Sequence, residues 1–588
     1  MRRKAGSGFS GWLNRADAAS AQGARCASTT GWRGHATAGR DLHGLAPDTT
    51  DDPPAFAHHV GEFQNHASIA AALGLQTDSS TQDVLLSGWH EWGAGVFSRI
   101  DGVCAVAIFD GSEVALYRDV SGLVDLYFQG PAAGRLSFST ELEALMQMTG
   151  TPRRLAPRAL HEYLRFGDIA GPHTIWQQAV ALPAGNCLRW SGDFARAAKV
   201  TDRPGPDISR LSVDDAVDAL DARLQQSVTA RLQGAQRPAV FLSGGIDSSL
   251  LCALAAKFRP DVTAVTVGFD GTEHDETPVA QAVARHLGIR HEVLRFSQDQ
   301  YASAFERLAR DMTQPMADPA TVPTLLALDH CGSHYDAVLD GTGADEIVGL
   351  MPPRHVRLAT RYVALAPRAV RAGIAEALRR HPRLARFAVM AEFEHPAELL
   401  IRWNGFGRTE IESITGDPVS FAETLFFRTF ESHRWRSHAD IGRALLNAMP
   451  CDRLPQAMIA SGADLRFPFW SAEVAPFVSA LPASHRHTST RPKRVLRSLL
   501  GKYVPRDLWD LPKHGFDFPL GKFLADSDFR VARQHLESDR WQHNPYVKAD
   551  ASLDYLHRLV AGDRSVTFRV WLLVALAAWL EAHESVHD

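Results

Sequence analysis

Cysteine is scarce in this 588-residue chain. There are six, at positions 26, 104, 187, 252, 331 and 451, widely spaced and without a C-x-x-C pair. That argues against a disulfide framework or a structural zinc site, and it fits a reducing, cytoplasmic setting. A basic excess is missing too: 62 Lys plus Arg face 67 Asp plus Glu, for a net charge of -5. Nothing in that balance marks a dedicated nucleic-acid binder. No apolar run reaches the roughly 20 residues that span a bilayer. The longest, Val570 to Leu580, is expected to be a buried C-terminal helix. The basic residues of MRRKAGSGFSGW have no apolar stretch behind them, so no secretory signal is expected. Neither the Walker A pattern G-x-x-x-x-G-K-[ST] nor the Rossmann fingerprint G-x-G-x-x-G is present. What remains, 45% hydrophobic and 22% charged, is ordinary globular material. At a prior of roughly 150 residues per domain the length implies two to four domains.

The first 55 or so residues, rich in Ala, Gly, Arg, Asp and Thr, carry loop signals such as GLAPDTTDDPP. From about Leu85 order improves. Val103 to Phe109 and Val114 to Tyr117 read as a hairpin around Asp110-Gly111. RLSFST and NCLRW add strands, while TELEALMQM and PRALHEYLRFG have helical period. This half is expected to be α+β with antiparallel strands. Thr201 to Ser209, TDRPGPDIS, is expected to be a linker, which divides the chain into domains at 1–205 and 206–588. Beyond it the pattern changes. The helix starting at SVDDAV is followed by the strand PAVFL, the helix SSLLCALAAKF, the strand VTAVTVGF, a helix from TPVAQAVARHLG with Thr277 as N-cap, and the strand HEVLRF. Strands separated by helices at this spacing mean βαβ units and a parallel sheet, with a helical remainder after about Leu350.

The most informative segment is Leu242-Ser243-Gly244-Gly245-Ile246-Asp247-Ser248-Ser249, where a buried strand turns through two glycines into a helix. Glycines let the backbone approach a ligand closely, and hydroxyls with the free N–H groups of a helix start make an anion site. An acid at such a site repels phosphate, so Asp247 is best explained by a metal; Mg²⁺ takes one or two carboxylates plus phosphate oxygens. A second acidic turn follows the strand Ala337 to Leu339, in Asp340-Gly341-Thr342-Gly343-Ala344-Asp345-Glu346. In an open parallel sheet ligands gather at the carboxyl ends of strands, which places Asp345 as a second carboxylate for Mg²⁺.

The S-G-G-x-D-S loop resembles the pyrophosphate loop of the ATP-pyrophosphatases, and the acidic turn resembles the S-G-E-G-S-D-E motif of their asparagine-synthetase branch. MIASGADLRFPFW, Met458 to Trp470, is similar to the family's G-L-E-A-R-x-P-F-L-D segment, and LPKHGFDFPL, Leu511 to Leu520, resembles its late P-K-x-G-F segment. The resemblance implies cleavage of ATP between the α and β phosphates and an acyl-adenylate. By the same resemblance Leu242, Val267, Gly268, Asp340 and Gly341 border the adenosine, and Ser243, Gly244, Gly245, Asp247, Ser248 and Ser249 hold phosphate and metal. Asp464 and Arg466 shape the synthetase site. Lys513 neutralises the adenylate and the developing oxyanion, a charge for which Lys493 and Arg497 are weaker candidates. RIDGVCAVAIFDG, LYRDVSGLVDLYF and LSFSTELEAL look like later strands of the family's glutamine-hydrolysing domain.

Two departures matter. Glutamine-dependent members carry a nucleophilic cysteine at position 2, whose α-amine serves as its base. Here residue 2 is Arg2, the best match to the C-G-I-F-G start begins at Ser7, and Cys26 sits in a loop-like stretch. The ammonia-generating site is expected to be dead. Thr342 stands where the family has Glu and β-lactam synthetases have Tyr, and a hydroxyl cannot do the electrostatic work of a carboxylate. On this reading the amine comes with the substrate, as in lasso-peptide macrolactam cyclases: ATP and Mg²⁺ as cofactors, a precursor core peptide as substrate, a leader peptidase as partner, and a wide cleft between the domains. Asparagine or β-lactam synthesis is the alternative, and a non-catalytic ATP-binding scaffold is disfavoured by the retained Asp247, Asp345 and Lys513.

Overall fold

The computed structural model describes residues 7–14, 24–30 and 55–583. Left out of that last span are 131–134, 192–194, 201–207, 209–210, 270, 273–274, 350, 382–383, 385–390, 392, 394, 401–404, 420–423, 449–452, 489–490 and 512–517. The linker assigned to 201–209 thus lies outside the described residues apart from Ile208, as do Arg2 and Lys513.

Among the described residues, ten strands fall in the first 200 positions. They are β1 (Ser7–Asn14), β2 (Ala24–Thr30), β3 (Phe56–Gly61), β4 (Cys104–Phe109), β5 (Val114–Arg118), β6 (Tyr127–Gln129), β7 (Arg135–Ser139), β8 (Val180–Ala181), β9 (Asn186–Trp190) and β10 (Ala195–Lys199). They form two antiparallel sheets, in the orders β2-β1-β7-β6-β8 and β10-β9-β5-β4-β3. The expected hairpin is β4–β5, closed by Asp110, whose Oδ1 accepts from the N–H groups of Ser112 and Glu113 at 2.8 and 3.0 Å. Strand alternation sorts the side chains of β4. Ala105, Ala107 and Phe109 join the core shared with β6 and β7. Cys104, Val106 and Ile108 pack with Val84, Leu85 and Trp89 of the helix Thr81–Trp92.

One sequence expectation is corrected here. The first 55 residues hold two strands and not only loop: β1 pairs with β2 from Ser7↔Thr30 to Leu13↔Ala24 and with β7 from Ser10↔Ser139 to Asn14↔Arg135. Ser7 therefore opens a strand, and Cys26 lies on β2 opposite Gly11. SGFSGWLN and ARCASTT have few β-branched or aromatic residues, so pairing of β1 with β7, and of β2 with β1, supplies what propensity does not.

The second domain is built on a five-stranded parallel sheet, β13-β12-β11-β14-β15, with β11 (Pro238–Phe241), β12 (Thr263–Val267), β13 (Arg290–Leu294), β14 (Ala337–Leu339) and β15 (Leu465–Arg466). The chain runs outward from β11 through β12 to β13 and then returns to add β14 on the other side. The β11/β14 boundary is thus a topological switch point, where crossovers leave in opposite directions and a crevice opens at the strand ends. The helix after β12 begins at Thr277 with Glu276 as N-cap, so Thr277 is its first residue and not the cap.

The apolar C-terminal run forms the helix Thr567–His583, buried from Val570 to Leu580. The stretch Arg564–His583 is long and apolar enough to cross a membrane, but here it packs inside protein. Tyr163 donates to the carbonyl oxygen of Leu572 at 2.8 Å, Trp579 Nε1 donates to that of Met312 at 3.0 Å, and Trp176 lies against Trp579. This helix therefore ties the two domains into one core.

Candidate active site

Residues 242–245 join β11 to the helix Ile246–Phe258, whose first turn carries Asp247 and Ser248. Gly244 has φ +71, and a Cβ there would lie 2.8 Å from Val279 Cγ1, so both the turn and the neighbouring helix Thr277–Leu287 demand glycine. Ser248 Oγ accepts from the N–H of Ser243 at 3.1 Å and lies 3.0 Å from Ser243 Oγ, which accepts from Gly245 N at 3.3 Å. The two hydroxyls thus tie the loop into a cradle at the start of the helix. Across the switch point, β14 leads into the second turn, where Thr342 N donates to Asp340 Oδ1 at 2.7 Å and a Cβ added to Gly341 would meet Asp247 Cβ at 3.5 Å.

Between the two turns lies a cavity of about 330 Å³. It is lined by Leu242, Ser243, Gly245, Asp247, Ser248, Val267, Asp340, Gly341 and Asp345 among the residues expected from sequence. Three others are placed differently. Gly244 faces Val279. Gly268 donates its N–H to Leu294 O at 2.9 Å, and a Cβ there would crowd Thr277 Oγ1 at 3.0 Å and Val293 Cγ1 at 3.1 Å. Ser249, one helical step beyond Ser248, turns into the core, fully buried, with no hydrogen-bond partner for Oγ among the described residues. The structure adds Glu346 of the acidic turn and lining residues that no motif announced: Glu276, Thr324, Arg453 and Leu454. Helix packing brings Thr324 and Arg453 together from segments far apart in sequence, so periodicity alone could not have found them.

Lys493 is the principal revision. Its ammonium lies 2.5 Å from Asp247 Oδ2 and 2.7 Å from Asp345 Oδ1, with its side chain 10% exposed. Burial alone would lower its pKa; the two carboxylates outweigh that and raise it. Sequence ranked Lys493 behind Lys513, which lies outside the described residues; among the described ones it is Lys493 that reaches the acidic pair. Arg497 instead pairs with Asp510 at 2.6 Å, away from the cavity. Asp464 and Arg466 do not line the cavity either. They pair with each other at 2.9 Å, and Arg466 donates to the carbonyl oxygen of Arg231.

Five carboxylate residues line the cavity (Asp247, Glu276, Asp340, Asp345 and Glu346) against one arginine among the described lining residues. A triphosphate cannot approach such walls without added cations. Asp247 and Asp345 already converge on a single cation, Lys493, so the donor set fits Mg²⁺ shared between two carboxylates and phosphate oxygens. A second, water-sized cavity of about 10 Å³ lies beside Thr342 and Glu346, lined also by Ser121 and Leu123 of the N-terminal domain. That domain holds the described cysteine side chains Cys104 and Cys187. Burial raises the Cys104 thiol far above its usual range and Cys187 to about 12, so neither supplies a thiolate.

Comparison with known proteins agrees with this geometry. Residues 219–581 match the asparagine synthase family, and residues 38–200 match the glutamine amidotransferase domain. A Mycobacterium tuberculosis protein named "Putative asparagine synthetase (glutamine-hydrolyzing)" is 27% identical over 562 residues, covering 88% of this chain and 83% of the relative. The glutamine-hydrolysing asparagine synthetase 1 of Bacillus subtilis is 24% identical over 91% of this chain and 87% of its own length. Carboxyethyl-arginine β-lactam synthase of Streptomyces clavuligerus is 28% identical over 51% of this chain and 56% of its own length. The family match spans the whole phosphate cradle and its acidic turn: the chain belongs to the asparagine synthase family and is an ATP-dependent ligase that forms amide bonds.

Proposed function

We propose that this enzyme amidates a small carboxylate with ammonia through an acyl-adenylate, the asparagine-synthetase reaction, without drawing ammonia from glutamine in its own N-terminal domain. The observation that carries this is the site's size and ownership. A cavity of about 330 Å³ has described lining residues that all fall between Phe241 and Leu454, within the synthetase domain. That volume is at the small end of ligand pockets and suits a nucleotide with a small acid. A lasso-peptide cyclase, by contrast, needs a wide interdomain cleft that surrounds a folded peptide. The nearly full-length relatives named as asparagine synthetases support the same reading.

In this mechanism the loop N–H groups and the Ser243 and Ser248 hydroxyls hold phosphate at the helix start, where backbone dipoles favour negative charge. Leu242, Val267, Asp340 and Gly341 border the nucleoside. Asp247 and Asp345 would hold Mg²⁺, which supplies charge neutralisation for the departing pyrophosphate. Lys493 lies beside both acids, where its ammonium would share in neutralising the phosphate charge. Lys513 is assigned the adenylate and the oxyanion. The substrate carboxylate attacks the α-phosphorus and releases pyrophosphate. Ammonia then attacks the acyl carbon, giving the amide, AMP and a proton.

The test is product analysis on purified protein. Aspartate, ammonium, ATP and Mg²⁺ should yield asparagine, AMP and pyrophosphate. ADP and phosphate as products would reject the reading. A second reading, ring closure of a peptide by its own N-terminal amine, draws on Thr342 in place of the acidic residue beside the cavity. A dehydrated peptide from a core-peptide substrate and its leader peptidase, with no asparagine formed, would establish that reading instead.

A further inference from the structure

Arg231, near the end of the helix Val213–Leu232, is fully buried. Guanidinium groups are almost never buried unless paired, and its charged partners come from the other domain. Nε is 3.0 Å from Glu62 Oε1, and Nη2 is 3.1 Å from Asp101 Oδ1. Nη1 donates to Ser227 Oγ at 2.9 Å, and Ser227 Oγ donates to Pro468 O at 2.9 Å. Asp101 Oδ1 also accepts from Ala472 N at 2.9 Å. Gly102 permits this convergence: its φ is +149, and a Cβ would lie 2.1 Å from the carbonyl oxygen of Glu62.

The cluster continues into the nucleotide site. Arg466 donates to the carbonyl oxygen of Arg231 and belongs to β15, the edge strand beside β14. Val338 N donates to Asp464 O at 2.9 Å, and Asp340 N donates to Arg466 O at 3.0 Å. Asp340 opens the turn that carries Asp345. Asp464 and Arg466, expected from sequence to act on substrate, thus link the N-terminal domain to that turn.

We infer that Arg231, gripped by Glu62 and Asp101, is a positioning residue: it fixes β15, and through it the Asp340–Asp345 turn, while the two domains are docked. This gives the N-terminal domain a role in the ligase reaction that needs no glutaminase nucleophile. It rests on the reading of the cavity as the ATP site. The grip is also sensitive to pH. The contact between Glu62 and Arg231 is not aligned as a hydrogen bond, and neither Glu62 oxygen has a hydrogen-bond partner among the described residues. Burial therefore raises the Glu62 carboxyl to about 7; Arg231 and Arg466 pull it down, while Asp101 and Asp464 push it up. Cys104, which also faces it, stays protonated. Above about 7 the ion pair is complete. Below that, Arg231 keeps only Asp101, so the rate set by the grip rises with pH. Stability runs the other way. A raised carboxyl pKa contributes stability that is full below the ordinary 4.5 and lost as pH rises through about 7.

Those opposite signs give the experiment. In the full-length protein, Glu62→Gln should lower the rate of pyrophosphate release from ATP, measured with aspartate and ammonium at pH 8, on the order of tenfold, as couplings between sites do. The wild-type rise of rate across neutral pH should vanish. Thermal stability at pH 8 should stay equal or increase, because a buried charge has been removed. Arg231→Lys should restore part of the rate lost in Arg231→Met. Amide hydrogen exchange at residues 338–345 should quicken in Glu62→Gln at pH 8, a readout that needs no turnover. Wild-type exchange together with a wild-type rate and pH profile in Glu62→Gln would overturn the inference. Wild-type protein that neither binds ATP nor releases pyrophosphate would reject the ATP-site reading, while quickened exchange would still uphold the linkage.

Discussion

Replacing Lys493 by Ala removes the one ammonium among the described residues that lies between Asp247 and Asp345. The two carboxylates, 2.5 and 2.7 Å from Nζ in the intact protein, are then left to repel each other. Deleting one partner of a buried ion pair costs about 3–5 kcal/mol. Asp345 is 48% exposed and water screens its share, so about 2–3 kcal/mol is expected here. Lys493 also sits in the left-handed backbone region, at φ 57. A side chain there costs roughly 1–2 kcal/mol, so the ion pairs must outweigh local strain. The folded-state pKa is raised above the ordinary 10.5, so the stabilisation is fully present below 10.5 and should be flat over roughly pH 6–9. Chemical denaturation with and without Mg²⁺ is the assay. Lys493→Ala should be destabilised in EDTA, and millimolar Mg²⁺ should recover more stability in the variant than in wild type, since the metal takes the vacated place. Turnover should fall by roughly 10²–10³ even with Mg²⁺ saturating, as loss of one fixed charge donor does. Unchanged stability together with an identical response to Mg²⁺ would refute the claim that lysine and metal share the two carboxylates.

Asp247→Ala and Asp345→Ala should each reduce pyrophosphate release by several orders of magnitude, because metal charge stabilisation is worth several kcal/mol; a loss under tenfold in radiolabelled-ATP assays would remove them from the metal site. Gly244→Ala should lower stability by about 1–2 kcal/mol and raise the KM for ATP, since a Cβ at φ +71 is strained and meets Val279; an unchanged KM would show that the loop tolerates the shift. Glutamate release from glutamine should not exceed a no-enzyme blank, because the described cysteine thiols of the N-terminal domain are buried and protonated; clear release would require another nucleophile.

Much of this molecule is set by local sequence. The β4–β5 hairpin follows from apolar strands around Asp110-Gly111, and β14 from a three-residue apolar run before an acidic glycine turn. The phosphate cradle is legible because Gly244 and the paired serines answer to a backbone geometry that few other residues permit. The buried C-terminal helix is legible because every face of it is apolar. What sequence left open depends on long-range proximity. β1 and β2 are weak strands by composition; β1 pairs with β7, more than 100 residues away, and β2 joins the sheet through β1. Lys493 follows Asp247 by 246 positions, and only the switch point between β11 and β14 brings its ammonium to both acids. Asp464 and Arg466 carry the same motif whether they touch substrate or not. Their part is decided by β15 lying between β14 and a guanidinium that the other domain holds, a relation between surfaces that no stretch of chain encodes alone.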